Sequence, residues 1–306
     1  MEITSLLQSQ KKSKYQELIG VIDYTNLNDW IVVPVTTHDG RVHSFVLDLA
    51  ATSTVISRSL LPSDAIITKM EMVEYSAGES ITKQATMQGA TGSIDSNVFM
   101  GKYKLSDCLL HNLPVDEINT SVLREFPIPL TEMGIEGILG TDVLSRANMI
   151  TINGLQDKKG GKVVFGSSHK SSKNELSFPI QMAAGLLFVN GKIDEIPVQL
   201  IMDTGARESI ITDSFAEEHH LELKVLSTEK QIAGIDGVPI QATTIQITDF
   251  KIGDYSFGTQ QMILGELGVL QSFGIQKASA ILGMDFFRHF TEVSFDLNNQ
   301  RLFLRK

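Results

Sequence analysis

Hydrophobic positions in this chain fall in short blocks, rich in β-branched and aromatic residues, each four to eight positions long and closed by Gly, Asn or Asp. That spacing predicts strands joined by tight turns, because such residues suit a pleated surface and the intervening ones suit turns. The blocks also recur. FVLDLAATSTVIS from Phe45 to Ser57 reads like LIMDTGARESIIT from Leu200 to Thr212, at an offset of 155 positions (203 − 48). GILGTDVLSRANMITIN from Gly137 matches AILGMDFFRHFTEVSFD from Ala280 without a gap, at an offset of 143 (285 − 142). Upstream, each copy has an apolar run, a turn at Asp39-Gly40 or Asn190-Gly191, and a second apolar run. Downstream, Lys162-Val163-Val164-Phe165 answers Arg301-Leu302-Phe303-Leu304. One order of elements is written twice.

A short helix is expected in each copy over 143–147 and 286–290, after Asp142 and Asp285, whose charge suits a first turn. The polar, Ser-rich stretch 167–175 reads as a linker. These signals divide the chain into an N-terminal extension 1–25, a first lobe 26–166, the linker 167–175 and a second lobe 176–306. Residues 1–25 show no counterpart in the second copy and are expected to add a strand or helix packed against the pair.

With 306 residues, 42% of them hydrophobic, there is enough apolar material for two cores. The formal charge of −10, with no basic run longer than Lys11-Lys12 or Lys158-Lys159, argues against nucleic acid as substrate or partner. Cys108 is the only cysteine, so neither an intrachain disulfide nor a thiolate-rich zinc site is expected. No stretch approaches eighteen consecutive apolar residues, and a membrane partner is not expected. Compartment stays open: cytoplasmic if Met1 is the native start, periplasmic or secreted if a signal peptide was removed.

The chemistry points to Asp203-Thr204-Gly205-Ala206, between two apolar strands. A carboxylate ending an apolar strand is costly unless hydrogen bonds or water meet it. Gly205 permits close backbone approach or a positive φ, so that main-chain N–H groups can face the acid, and the Thr204 hydroxyl can reach a symmetric partner. Two such loops face to face would set two carboxyls at one water and hold one proton between them. The ionised acid would take a proton from the water and the protonated one would polarise a carbonyl.

Asp203-Thr204-Gly205-Ala206, then Ser209-Ile210-Ile211, then Ile281-Leu282-Gly283-Met284-Asp285, is the ordered pattern of the retropepsin-like, or bacterial aspartyl protease, family, which the sequence resembles in two tandem copies over roughly 30–166 and 180–306. The resemblance implies a mainly β fold: two retropepsin-like β-barrel lobes in a pseudo-two-fold, pepsin-like arrangement. It also implies an Ile-Leu-Gly strand crossing behind each catalytic loop, around Gly140 and Gly283, and a flap over the cleft. The flap candidates are Gly234-Ile235-Asp236-Gly237 in the second copy and Gly89-Ala90-Thr91-Gly92 in the first. Asp203 and Asp48 are the catalytic candidates, and Asp142 and Asp285 are structural.

The first copy departs from the pattern, with Leu49 and Ala50 where the family has Thr and Gly. Leu49 cannot donate a hydroxyl hydrogen bond across the loops, and Ala50 can present its N–H only where the loop accepts its Cβ. His219-His220 are adjacent, not spaced as helix-borne metal ligands, and no metal or organic cofactor is expected. The expected activity is peptide-bond hydrolysis by one monomeric chain, on a peptide or protein substrate. Two alternatives remain open: a peptide-binding pseudo-protease, and an enzyme active only as a homodimer through its second lobe.

Overall fold

Strand stretches such as residues 186–189 and 45–47 bury every residue toward two packed faces, which is why they read as apolar runs and not as alternating ones. The computed structural model describes residues 17–37, 40–61, 63, 67–68, 71–76, 79–84, 86–88, 93–95, 97–101, 104–105, 108–110, 118–123, 128–166, 174–233, 239–266 and 278–306. Among these residues, side chains are described outside 67–129, 233, 239–240 and 278–279. The protein is mainly β and two-lobed.

The first half contributes β1 (Leu18–Leu27), β2 (Trp30–Thr36), β3 (Val42–Leu47), β4 (Val55–Ser57), β5 (Ile67–Thr68), β6 (Glu71–Ser76), β7 (Glu79–Gln84), β8 (Thr86–Gln88), β9 (Ser93–Asp95), β10 (Asn97–Gly101), β11 (Lys104–Leu105), β12 (Cys108–Leu110), β13 (Ile118–Leu123), β14 (Gly137–Leu139), β15 (Met149–Asn153) and β16 (Gly160–Phe165). The second contributes β17 (Glu175–Ala183), β18 (Leu186–Ile193), β19 (Ile196–Met202), β20 (Ile210–Ile211), β21 (Lys224–Ala233), β22 (Pro239–Ile252), β23 (Tyr255–Leu264), β24 (Ala278–Leu282), β25 (Glu292–Asp296) and β26 (Arg301–Arg305). The α-helices among the described residues are α1 (Ile128–Glu132), α2 (Thr141–Leu144), α3 (Asp213–Glu218) and α4 (Met284–Phe287).

The same pairings recur in both halves. β14 lies parallel to β3 and antiparallel to β4; β24 lies parallel to β19 and antiparallel to β20. The hairpin β1–β2 pairs with β16 and β3, as β17–β18 pairs with β26 and β19. The halves join where β15 pairs antiparallel with β25, Thr151 facing Ser294, and the buried hydroxyls of these two residues meet at 2.9 Å. Their numbers differ by the repeat offset (294 − 151 = 143), so a local two-fold runs through this contact. One sheet, β1-β16-β15-β25-β26-β17, thereby spans both lobes.

Three expectations need correction. The two helices start earlier than 143 and 286, because the amides of Thr141 and Met284 already bond to the carbonyls of Ala51 and Ala206 and the turn begins directly after Gly140 and Gly283. The boundary after residue 25 cuts through β1, which is the counterpart of β17, so residues 18–25 belong to the first lobe's sheet and have an equivalent in the second copy. Glu175, assigned to the linker, opens β17.

Behind the site the second lobe has an aromatic core. Phe286 lies edge-on to Phe250 and Phe257 at centroid distances of 5.7 and 5.0 Å, which fixes α4 against β22 and β23.

Candidate active site

β3 and β19 each end in an aspartate, and the two loops that follow meet. The Asp48 Oδ1 accepts hydrogen bonds from the backbone N–H groups of Ala50 at 2.7 Å and Ala51 at 2.9 Å. The Asp203 Oδ1 accepts them from Gly205 at 2.8 Å and Ala206 at 3.0 Å. Each aspartate's own N–H donates to the crossing strand, Asp48 to the Leu139 carbonyl and Asp203 to that of Leu282. Asp48, Leu49, Ala50, Asp203, Thr204, Gly205 and Ala206 thus lie together where the two loops meet.

Ala50 sits outside the positive-φ region and its N–H bonds to Asp48, so the loop accepts its methyl. The methyl packs on an apolar group of the second lobe that includes Leu186, Phe188 and Ile201. Gly205 also lacks a positive φ; what requires glycine there is space. A Cβ on Gly205 would lie 2.3 Å from the Asp48 Oδ2, which shows how closely the second loop covers the first loop's acid.

Leu49 behaves differently from the simple expectation of a lost bridge. Its backbone N–H donates to the Thr204 Oγ1 at 3.0 Å, and the Thr204 hydroxyl donates to the Leu47 carbonyl at 2.8 Å. One half of a reciprocal bridge is therefore intact and needs a hydroxyl only at Thr204. The Leu49 side chain, fully buried, packs into the main core and can supply no hydroxyl for the other half.

Behind each loop stands a bracket. The Thr54 Oγ1 donates to the Asp142 Oδ1 at 2.8 Å and accepts from the Gly140 N–H at 3.1 Å. The Ser209 Oγ donates to the Asp285 Oδ1 at 2.6 Å and accepts from the Gly283 N–H at 3.0 Å. Gly140 and Gly283 approach backbone so closely that a Cβ would meet the Ser53 or Glu208 carbonyl carbon at 2.5 or 2.6 Å. Asp142 and Asp285 sit in the first turns of α2 and α4, where each Oδ1 also accepts the N–H of the next residue, Val143 or Phe286; burial raises both carboxyls.

The electrostatics separate the two central acids. Burial raises Asp48, against the pull of the Ala50 and Ala51 N–H groups and of a hydrogen bond with Asp203. Burial raises Asp203 further, well above an ordinary carboxyl, and the charge of Asp48 adds to it. The pair can therefore share one proton, with Asp203 the more strongly raised of the two. Such a pair can abstract a proton at one oxygen and donate one at the other.

Residues 189–289 match the family model described as "gag-polyprotein putative aspartyl protease". The chain has the fold of an aspartyl protease. Among solved structures it is similar to the aspartic proteinase from Irpex lacteus, at 15% identity and a TM-score of 0.50, over 94% of this chain and 97% of that one. No curated protein sequence matches it. The matched stretch includes Asp203-Thr204-Gly205-Ala206 and Ile281-Leu282-Gly283, where the sequence pattern is complete.

The flap candidates Gly234, Ile235, Asp236 and Gly237 lie outside the described residues, between the paired ends of β21 and β22. Gly89, Ala90, Thr91 and Gly92 likewise lie outside them, between β8 and β9. Among the described residues no group of three or more His, Cys, Asp or Glu could hold a metal ion, and no helix is long and apolar enough to cross a membrane.

Three residues that the sequence reading left without a role belong to this site. Thr54 and Ser209 carried a usable signal, since both are hydroxyl residues at the 155 offset. Trp30, whose indole Nε1 donates to the Gly205 carbonyl at 2.7 Å, carried none beyond being the only tryptophan.

Proposed function

We propose that this chain is a single-chain aspartic endopeptidase whose dyad is Asp48 and Asp203. A protease is what the family match and the fold support. The observation that carries the finer reading is the matched cradle: each carboxyl takes two loop N–H groups on its Oδ1, and the two differ in proton affinity. A water between them loses a proton to ionised Asp48 as its oxygen attacks the scissile carbonyl carbon. Asp203 gives its proton to the carbonyl oxygen, forming a neutral diol. The diol then collapses, Asp48 passing its proton to the leaving nitrogen and Asp203 recovering one from the hydroxyl. The peptide or protein substrate lies extended in the cleft, adding main-chain hydrogen bonds, and the chain works as a monomer in which the two tandem lobes replace two subunits.

The test is cleavage of a mixed peptide library from acid to neutral pH by the native chain, Asp203→Asn and Asp48→Asn. Each variant is expected to lose about 10³-fold in rate, the range of a general acid or base. Cleavage that survives Asp203→Asn would sink the proposal. The half-bridge at Leu49 favours a second reading, a peptide-binding pseudo-protease, which predicts capture of library peptides by the native chain with no cleavage at any pH.

A further inference from the structure

We propose that Trp30 is a positioning residue for the Asp203 loop: the β1–β2 hairpin of the first lobe reaches across and fixes the peptide plane that hydrogen-bonds Asp203. This rests on Asp203 being half of the dyad. The indole N–H donates to the Gly205 carbonyl at 2.7 Å. That carbonyl shares its peptide unit with the Ala206 N–H, which donates to the Asp203 Oδ1 at 3.0 Å. A donor on the oxygen of an amide polarises it and strengthens the bond its N–H makes, so the indole acts on Asp203 through one intervening peptide.

The rest of the hairpin tip holds the indole in place. Asn28 and Asp29 take φ of 48° and 79°, the twisted two-residue turn that suits a hairpin. Asp29 is ion-paired with Arg288, at the end of α4, and Arg288 also donates to the Asn26 Oδ1. The Arg207 guanidinium stacks 5.3 Å from the centre of the Trp30 ring.

The equivalent hairpin of the second lobe does not do this for Asp48. There Ala184 and Gly185 form the turn, and Leu186 faces Ala183 as Trp30 faces Leu27. Leu186 has no side-chain donor, and Gly185 has no side chain at all; a Cβ there would come within 3.3 Å of Thr52 and Thr141. A second copy of the second lobe would bring leucine where the Asp203 loop meets an indole, and glycine where Arg288 meets the Asp29 carboxylate. The Asp203 loop is therefore built for the first lobe as its partner, which disfavours a homodimer through the second lobe.

Trp30 is the only tryptophan, so emission of the folded chain reports on this contact. The charged groups around Asp203 are Asp48 across the dyad, Arg207 on its own loop, Glu208 paired with Lys230 of β21, Asp285 behind the loop, and Asp29 paired with Arg288. Emission of the native chain, followed from acid to neutral pH, is expected to titrate, and that step is expected to vanish in Asp203→Asn. A flat profile, or the same step in Asp203→Asn, overturns the link whether or not any peptide is cut.

The second arm is Trp30→Phe, which keeps a ring over Arg207 and removes only the donor. It is expected to lower kcat about five- to tenfold, as loss of one hydrogen bond worth about 1 kcal/mol would, with KM held within about twofold. Because the weakened bond favoured ionised Asp203, the alkaline limb of the rate profile should move up while the acid limb stays. A variant with unchanged kcat and an unmoved alkaline limb, in a chain that does cleave peptides, overturns the proposal and leaves the protease reading standing.

Discussion

Ala50 and Gly205 hold the same place in the two loops, and the surroundings tolerate a methyl only at the first. Gly205→Ala would drive its Cβ into the Asp48 carboxyl. It should abolish peptide cleavage while far-UV circular dichroism stays native, since the atoms nearest the added methyl all belong to the Asp48 carboxyl. Asp203 supports a sharper expectation. Its native proton affinity is raised by burial and by Asp48, so stability is fullest below the ordinary carboxylate value and is lost as pH rises toward the raised native one. Asp203→Asn removes that loss. The variant should match the native chain in acid and exceed it at neutral pH, by about 1.4 kcal/mol for each unit of the rise, as read from paired denaturant titrations. At this scale the sequence revealed the acids and Thr204, because side-chain identity and apolar context mark them. It could not reveal that the partner of Thr204 is the N–H of Leu49, since a backbone donor leaves no trace in residue type. Trp30 was hidden for another reason: 175 positions separate it from Gly205.

The short strand-helix joints depend on their hydroxyls. Ser209 ties the Gly283 N–H to Asp285 and Thr54 ties the Gly140 N–H to Asp142, so each hydroxyl locks the start of a four-residue helix that could not persist alone. Ser209→Ala leaves a buried N–H unpaired and takes one donor from a buried carboxyl, and it should cost about 2–3 kcal/mol of unfolding free energy. Ser209→Thr, which repeats the bracket of the first lobe, should recover most of it. Strand existence was readable from apolar runs bounded by turns, and so were the tight hairpins. Helix starts were not, because they are set by the Ala51 and Ala206 carbonyls, which capture the first amide at a distance along the chain. Among the described residues, the chain between β5 and β10 of the first lobe pairs β6 with β7 and β8 with β9, where the second lobe pairs β21 with β22. This difference was not legible in residue pattern, since both regions read only as strands and turns.

For the molecule as a whole, the seam between β15 and β25 decides how the lobes are held. Thr151 and Ser294 satisfy one another there, away from water. Thr151→Val or Ser294→Ala alone should each cost about 1–3 kcal/mol by stranding a buried hydroxyl, whereas the double variant should cost less than the sum, because no polar group is then left unpaired. A double-mutant cycle by chemical denaturation measures the difference. The offset of 143 made these two residues equivalent in the sequence, but equivalence does not disclose contact; only the antiparallel pairing places them on the axis. A further consequence follows from that shared sheet. The two acids are delivered by one covalent chain whose halves are stitched strand to strand, so the local concentration of one loop at the other does not depend on how much protein is in the tube. Activity per molecule should hold constant under serial dilution, where a site assembled from two chains would fade as its partners drift apart.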